Sequence, residues 1–260
     1  MRAVDELLAE AEARPVEGWD FSWLGERAVS HPPPWDFEAI VERHLARAPD
    51  LLDLGTGGGE WLASLAGRPA RVVATEAWPP NVAVARRRLE PLGVEVVAVE
   101  SAPDNRDQPL RLASPALPFE DASFSLVVSR HESYVAMEVA RVLRPGGVFL
   151  TQQMGGDPNG FRAAIGLPAI EPPLFDLELA REQLEAAGLE VLAAESGSAA
   201  TTFADAGALA YWLRAIPWLI EDFSIAAFRT ELGALQQRLE ATGPLTIEEP
   251  AFYLATGSSR

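Results

Sequence analysis

A glycine-rich turn near residue 55 constrains the fold of this chain more than any other feature. Residues 50–54 have the apolar pattern of a buried strand, and residues 60–66 have the pattern of a helix. Between them, Gly55, Gly57 and Gly59 occupy alternate positions. A strand, a glycine turn and a helix N-terminus bring backbone N–H groups close to a ligand. The segment therefore predicts an α/β fold with a binding site at this turn.

An acidic residue follows the turn at the spacing typical of ribose recognition. Residues 71–75 are predicted to form a second strand, and Glu76 lies at its carboxyl end, about 20 residues beyond the turn. A carboxylate in this position accepts hydrogen bonds from ribose hydroxyls. We therefore predict a nucleoside-containing cofactor, with Thr56 in the turn and Ala77 and Trp78 after Glu76 as further contacts.

The glycine spacing distinguishes between two classes of nucleoside cofactor. A dinucleotide site has the pattern G-x-G-x-x-G, whereas Glu60 stands here at the position of the third glycine. A carboxylate at a helix N-terminus would repel a pyrophosphate. S-Adenosylmethionine has a cationic centre and no phosphate, and it fits better, with Asp53 near its positively charged methionine end. An ordinary tight turn without a ligand is the alternative interpretation.

The charge of the chain excludes several classes of partner. Its 260 residues carry a formal net charge of −17. Nucleic-acid-binding proteins usually have a basic patch, but the basic cluster at residues 86–88 is predicted to be the solvated face of a helix. We therefore expect no nucleic-acid and no membrane partner. A cytoplasmic, soluble protein is expected, because the sequence has neither a signal-peptide pattern nor an apolar run of bilayer length.

Two missing residue types limit the possible chemistry. The chain has no cysteine, which excludes thiolate nucleophiles, disulfides and cysteine-ligated zinc. It also has no lysine, because all 21 residues counted as Lys or Arg are arginine, so Schiff-base chemistry is excluded. The sequence has no compact cluster of Asp and Asn residues, and we predict that no metal is needed.

Strands and helices alternate through the middle of the chain. The predicted strands are residues 50–54, 71–75, 94–99, 124–129, 148–153, 189–194 and 251–255. The predicted helices of this region are residues 60–66, 81–89, 135–143 and 177–187. This alternation predicts a parallel sheet covered by helices on both faces. Ligands of such sheets bind beyond the carboxyl ends of the strands, where Asp53, Glu76 and His131 are found.

Four segments resemble the motifs of class I S-adenosylmethionine-dependent methyltransferases. Residues 53–59 match the first motif of that family, and Glu76 matches the acidic residue after its second strand. Residues 117–124 match the segment that leads into the fourth strand, and residues 138–147 match the helix and turn before the fifth. The resemblance covers about residues 48–195. It implies a Rossmann-like, doubly wound α/β sheet of seven mostly parallel strands with a reversed last strand.

The resemblance also implies an activity, namely S-adenosylmethionine-dependent methyl transfer to a small-molecule acceptor through an oxygen, nitrogen or carbon atom. Two other functions stay open at this point. One is non-catalytic binding of S-adenosylmethionine, and the other is a nicotinamide-dependent oxidoreductase. No residue pattern specifies the acceptor or the oligomeric state.

Two positions depart from the pattern of the family. Ser125 replaces an aspartate that is usual in the fourth strand and normally has a structural role. Residues 113–114 replace a pair with an acidic member that commonly holds the adenine. We expect the loop after the third strand to bind the adenine instead, through Ala102, Asp104 or Asn105. A solvated polar loop is the alternative.

The segment after the fourth strand contains the candidate for proton transfer. His131 is one of three histidines, and because histidine titrates near neutral pH it could take a proton from an oxygen or nitrogen acceptor. Its alternative role is to pack over the cofactor. Arg130 is a predicted cofactor contact, and Gln152 and Gln153 at the end of the fifth strand could add polar contacts.

Aromatic segments outside the sheet are expected to enclose the acceptor. Residues 1–47 are predicted to form a helical and aromatic lid, in which Trp23 and Arg27 contact the cofactor. Residues 48–260 are predicted to form the S-adenosylmethionine-binding domain, with an aromatic-rich helical insertion at about residues 200–245. Apolar walls of this kind suit a small-molecule site. Packing in a hydrophobic core is the alternative role for the insertion.

Overall fold

The chain folds into two units. The computed structural model describes residues 3–16, 21–100, 102, 105, 116–171 and 175–258. The helical unit comprises Met1–Pro34, Gly156–Leu174 and Ser198–Pro250. The sheet unit comprises Trp35–Gly155, Phe175–Gly197 and Ala251–Arg260.

The described residues contain both helices and strands, numbered here in chain order. The helices are α1 (Val4–Ala13), α2 (Phe37–Leu45), α3 (Glu60–Ser64), α4 (Pro79–Leu89), α5 (Ala136–Val142), α6 (Asn159–Ala164), α7 (Leu177–Ala186), α8 (Ala206–Ala215) and α9 (Arg229–Thr242). The strands are β1 (Ala28–His31), β2 (Asp50–Leu54), β3 (Arg71–Glu76), β4 (Val94–Ala98), β5 (Phe124–Arg130), β6 (Leu143–Met154), β7 (Leu189–Phe203) and β8 (Leu245–Ser258). Within the described ranges, no helix has the length and apolar character needed to cross a bilayer.

The strands follow the order β1-β7-β8-β6-β5-β2-β3-β4 in the described part of the chain. Strands β4, β3, β2, β5 and β6 are parallel neighbours, and β8 is antiparallel to β6. The predicted mostly parallel sheet with a reversed last strand is therefore confirmed. Strand β1 was not predicted. It pairs antiparallel with the end of β7 inside the helical unit, where Ala28 lies opposite Phe203.

The sheet unit has a hydrophobic core on each face of its parallel strands. Successive residues of β2 point to opposite faces, so that Leu51 joins one core and Leu52 the other. Helices α2, α3 and α4 cover the first face, and α5 and α7 cover the second. Strands buried on both faces need nearly continuous apolar residues, and all five residues of β2 are buried.

The serine in β5 takes part in a polar contact with a buried aspartate. The carboxylate of Asp50 accepts a hydrogen bond from the backbone N–H of Ser125 at 2.6 Å. Arg144 donates to Asp50 at 2.6 Å and to the hydroxyl of Ser125 at 3.1 Å. Asp50 thus links β2 to Ser125 in β5 and to Arg144.

The helical unit has a separate core. Helices α1, α6, α8 and α9 contribute buried residues to it. The aromatic residues of the two predicted segments pack together in this core: the rings of Trp23 and Tyr211 lie 4.8 Å apart, and those of Phe21 and Trp212 lie 4.4 Å apart. The predicted lid and the predicted insertion therefore share one core within this unit.

The units divide the chain differently from the boundary predicted at residue 47. Helix α2 lies in the sheet unit, where Phe37, Val41 and Leu45 are buried against one face of the sheet. Its amphipathic pattern explains this position, because the apolar residues recur at helical spacing. Asp36 caps its N-terminus by accepting from the backbone N–H of Ala39 at 2.9 Å.

Candidate functional site

The turn between β2 and α3 depends on three glycines in left-handed conformation. Gly55, Gly57 and Gly59 have φ angles of 69°, 60° and 79°, which residues with a Cβ atom rarely adopt. The backbone N–H of Thr56 donates to the carbonyl oxygen of Thr75 at 2.8 Å. This bond fixes the turn to the end of β3, as the sequence pattern predicts for a strand–turn–helix site.

Glu132 lies directly over Gly55. A Cβ atom at position 55 would come within 2.1 Å of the Cγ atom of Glu132, so only glycine leaves room for this side chain. Glu132 is absent from the residues that the sequence predicts for the site. Its position after β5, the neighbour of β2, is the signal that could have identified it, because the carboxyl ends of adjacent parallel strands meet at one edge of the sheet.

Asp53 is a buried carboxylate at the end of β2. The residue is 2% exposed, and its Oδ2 atom has no hydrogen-bond partner among the described residues. Burial raises the pKa of Asp53 to about 7, although the nearby hydroxyl of Thr56 and the charge of Arg130 oppose the rise. A buried oxygen without a partner is costly to leave unsatisfied. The position therefore suits a bound group that carries a positive charge or donates a hydrogen bond.

The side chain of Glu76 is held at the end of β3 by the backbone N–H groups of the next two residues. Its Oε1 atom accepts from the N–H groups of Ala77 and Trp78 at 2.9 Å and 2.8 Å. Burial raises the pKa of Glu76, while these backbone donors lower it. Ala77 and Trp78 thus orient the carboxylate through main-chain atoms, and the indole of Trp78 is 51% exposed.

The three carboxylates form one acidic group around Gly55. Burial, followed by the charges of Glu76 and Asp53, raises the pKa of Glu132 to about 7. Like charges that interact in a buried site hold protons more tightly unless a cation joins them. No set of three or more His, Asp or Glu side chains in the described residues is arranged to hold a metal ion. The arrangement is suited to an organic cation.

A cleft opens beside this acidic group. The lining residues are Leu54, Gly55, Thr75, Glu76, Ala77, Val99, Glu100, Ala102, Leu117, Glu132, Ser133, Tyr134, Val135, Glu138 and Val139. The cleft therefore brings together four of the predicted residues, Gly55, Glu76, Ala77 and Ala102.

One wall of the cleft is fixed by an ion pair in α5. Arg141 donates to Glu138 at 2.8 Å and 2.7 Å, and also to the backbone oxygens of Leu117 and Phe119 at 3.0 Å and 2.7 Å. Glu138 accepts from the N–H of Leu117 at 2.7 Å. The motif at residues 117–124 is thus tied to the helix that carries the motif at residues 138–147.

The loop after β4 is described at two of the predicted adenine-binding residues. Ala102 lines the cleft. Asn105 is buried, and its side-chain oxygen accepts from the N–H of Tyr134 at 3.0 Å, while its backbone oxygen accepts from Gln183 at 2.8 Å. Asn105 therefore fastens the loop to the base of the cleft. Asp104 lies outside the described residues.

Arg130 is the last residue of β5, and His131 follows it. The guanidinium of Arg130 lies 5.5 Å from the centre of the Trp61 ring. His131 has a φ of 63°, a conformation that is uncommon for residues other than glycine and that often marks functional sites. Its pKa is lowered because many protein atoms surround the ring, although the residue as a whole is exposed, and because Arg130 is positively charged. Both effects favour the neutral imidazole.

Glu60 has a partner that the sequence does not show. The guanidinium of Arg88 forms an ion pair with Glu60 and also contacts the backbone oxygen of Gly58. The expectation that the turn does not hold a pyrophosphate stays a prediction. Arg88 belongs to the predicted solvated face of α4, and this pair gives it a defined contact.

Trp23 and Arg27 lie in the helical unit. Arg27 forms two hydrogen bonds to Asp205, at 2.7 Å and 2.9 Å, and its guanidinium lies 5.1 Å from the centre of the Trp23 ring. Asp205 also caps α8 by accepting from the N–H of Ala208 at 2.8 Å. Within their unit, both residues stabilise the junction of β1 and α8, and their contact with a cofactor stays a prediction.

Known proteins are similar to this chain in part of its sequence and in its fold. Residues 52–151 match the family described as "Methyltransferase domain". A demethylmenaquinone methyltransferase from Thermus thermophilus is 33% identical over 131 residues, which cover 46% of this chain and 54% of that protein. The chain thus spans about half the length of this curated relative.

Solved structures share the fold at low sequence identity. A candidate methyltransferase from Bacillus halodurans is 17% identical, with a TM-score of 0.56, and the match covers 86% of this chain and all of that one. A protein of unknown function from Deinococcus radiodurans is also 17% identical, with a TM-score of 0.55 and coverage of 88% and 90%.

Residues 52–151 of this chain are therefore similar to methyltransferase domains, and the solved structures share its fold.

Proposed function

We propose that this protein binds S-adenosylmethionine at the glycine turn and transfers its methyl group to a small-molecule acceptor. The acidic group formed by Asp53, Glu76 and Glu132 around Gly55 is the observation that carries the proposal. One oxygen of Asp53 has no partner in the described residues. A ligand with positive charge would satisfy this oxygen and reduce the repulsion among the carboxylates.

Each carboxylate has a separate task in this proposal. Glu76, oriented by the N–H groups that bind its Oε1 atom, accepts hydrogen bonds from the ribose. Asp53 and Glu132 attract the charged methionine end. Ala102 and Leu117 provide apolar walls for the base. The residues present therefore fit the cofactor that the family uses.

The chain acts on the reaction mainly by positioning. When bound, the cofactor supplies an electrophilic methyl group, whose transfer leaves S-adenosylhomocysteine. Alignment of two reacting groups in a cleft removes much of the entropic barrier of a bimolecular reaction. The acidic group around Gly55 and the wall tied to Arg141 provide rigid points for such alignment.

A small aromatic acceptor of the quinol type is the first candidate. It is supported by the name of the curated relative, a demethylmenaquinone methyltransferase, and by its 33% identity over 131 residues. The acidic charge of the chain, −17, also favours a neutral or cationic acceptor over an anionic polymer.

The proposal is tested by measuring release of S-adenosylhomocysteine by liquid chromatography and mass spectrometry. Purified protein is incubated with S-adenosylmethionine and a panel of 1,4-naphthohydroquinone, catechols, phenols and small amines. We expect acceptor-dependent release with at least one aromatic hydroxy compound. Binding of S-adenosylmethionine without release across the panel would instead support the non-catalytic function. Binding of NAD in place of S-adenosylmethionine would support an oxidoreductase.

A further inference from the structure

A chain of hydrogen bonds in the sheet unit ends at His131. The indole N–H of Trp35 donates to the Oε1 atom of Gln152 at 2.7 Å. The Nε2 atom of Gln152 lies 3.2 Å from the Nε2 atom of His131. Trp35 and Gln152 are 8% and 6% exposed, so water does not readily replace either partner.

The donors and acceptors of this chain allow one arrangement. An indole nitrogen can only donate, so the atom of Gln152 that faces Trp35 must be the oxygen. The atom that faces His131 is then the amide NH₂ group, which also only donates. His131 must therefore accept at Nε2, and the proton of its neutral ring must be on Nδ1.

The same chain opposes protonation of His131. A proton on Nε2 would place an N–H group against the NH₂ group of Gln152, so that two donors would face each other. Arg130, the preceding residue on β5, adds a positive charge beside the ring. The hydrogen bond from Gln152 and the charge of Arg130 thus both oppose protonation of His131.

We infer that Trp35 and Gln152 are positioning residues that fix His131 as an uncharged hydrogen-bond donor through Nδ1, rather than as a base. This inference deepens the proposed function and rests on it for the identity of the reaction. His131 follows β5 and immediately precedes Glu132 and Ser133, which line the cleft. The Nδ1–H group of His131 suits an acceptor molecule that has a lone pair on oxygen or nitrogen. Any proton that this molecule releases on methylation goes to solvent.

Histidine tautomers can be read directly by long-range ¹H–¹⁵N correlation spectra of the unliganded protein labelled with ¹⁵N-histidine. The chain has three histidines, and the signal that is absent from the spectrum of a His131→Gln variant is assigned to His131. We expect His131 to show a protonated Nδ1 and an unprotonated Nε2, without titration between pH 6 and 8. A protonated Nε2, or a titration midpoint near the ordinary histidine value of about 6.5, would overturn the inference.

Two variants test the roles of Trp35 and Gln152 in positioning His131. Trp35→Phe removes the indole donor, so Gln152 can rotate and place its oxygen against His131, and we expect the proton to move to Nε2. Gln152→Glu places a carboxylate there and should raise the pKa of His131 by about 1–3 units. Trp218→Phe, at a side chain that is 68% exposed, should change neither property.

The inference is wrong if both variants leave the His131 signals as in the wild type. If Trp35→Phe does not fold, Gln152→Glu decides the question. The spectra need neither cofactor nor acceptor, so this failure is distinct from a failure to release S-adenosylhomocysteine.

Discussion

Asp53 is the residue on which the site depends most, because it is buried and has an oxygen without a described partner. Asp53→Asn keeps the size of the side chain and removes the charge. We expect the affinity for S-adenosylmethionine, measured by isothermal titration calorimetry at pH 8, to fall at least about tenfold, or about 1.4 kcal/mol.

Asp5→Asn provides the matched control for this change. Asp5 is an exposed carboxylate in α1 that pairs with Arg229, and its replacement should leave the affinity unchanged. Equal affinity of Asp53→Asn and wild type would show that Asp53 does not attract the cofactor.

Glu132 contributes the third charge and lies against Gly55. Glu132→Gln should weaken binding of S-adenosylmethionine by about tenfold at pH 8, because one carboxylate that attracts the cation is lost. Glu6→Gln, at an exposed position in α1, serves as the control. Tighter binding by Glu132→Gln in a fluorescence or calorimetric titration would mean that the carboxylate blocks the site.

Single residues show what a sequence predicts about a site and what it cannot. Asp53 and Glu76 were predicted because their distances from the glycine turn are fixed by the strand–turn–helix pattern. Glu132 was missed because sequence spacing does not show which side chain folds over Gly55. The pairing of Glu60 with Arg88 was missed for a similar reason, since Arg88 reaches Glu60 only when α4 is in place.

The glycine turn offers a test of packing that separates backbone strain from contact with Glu132. Gly55 and Gly67 both have a φ of +69°, but a Cβ atom would meet Glu132 at position 55 and nothing within 4 Å at position 67. Backbone strain should cost both alanine variants about 1 kcal/mol of stability in urea unfolding, and Gly55→Ala should lose more because its Cβ atom meets Glu132. Only Gly55→Ala should also lose affinity for S-adenosylmethionine, by about tenfold or more.

A second substitution checks the cause of that loss. Glu132→Ala in the Gly55→Ala background removes the atoms that the new methyl group meets, so the stability cost should approach that of Gly67→Ala. Equal affinities of the two single alanine variants would contradict the packing role of Gly55.

The elements of the sheet unit were predicted well, since buried parallel strands have continuous apolar sequences and α7 has a recognisable capping aspartate, Asp176. The predicted strands β6, β7 and β8 are longer in the structure. Most of their extra residues are polar or at least partly exposed, although Leu143, Phe203 and Ile247 are buried, and such segments form strands because of pairing rather than hydrophobic pattern. Strand β1 is the clearest case, as three of its four residues are exposed.

Stability of the whole molecule should depend on pH through its raised carboxyl pKa values. Asp53, Glu132 and Glu249 have pKa values of about 7 in the folded protein, against about 4 in the unfolded chain. The folded state therefore binds more protons between these values, and each group makes stability fall as the pH rises from about 4 to 7, by up to about 1.4 kcal/mol per unit.

Urea unfolding of the unliganded protein between pH 5 and 8 tests this dependence. The lowered pKa values of His44 and His131 act in the opposite direction, so the wild type is compared with Asp53→Asn. The free energy of unfolding of the variant should fall less steeply with pH. Identical slopes would contradict a raised pKa for Asp53.

The division of the whole chain was the hardest feature to predict. The helical unit is assembled from three separate segments, and its core forms when aromatic residues near the N-terminus meet those of α8. The sequence alone identifies each aromatic segment but does not show that the two segments pack together. Hydrophobic periodicity predicts an apolar face but does not identify the face that packs against it. The role of these segments around an acceptor stays a prediction.

Calorimetric titration of the unliganded protein with S-adenosylmethionine at pH 6 and pH 8 tests the central claim, which is that a buried acidic group receives a cationic cofactor. Because Asp53 and Glu132 have pKa values of about 7, binding should be about tenfold tighter at pH 8 and should release protons at pH 6. Undetectable binding, or an affinity that is the same at both pH values, would contradict the account.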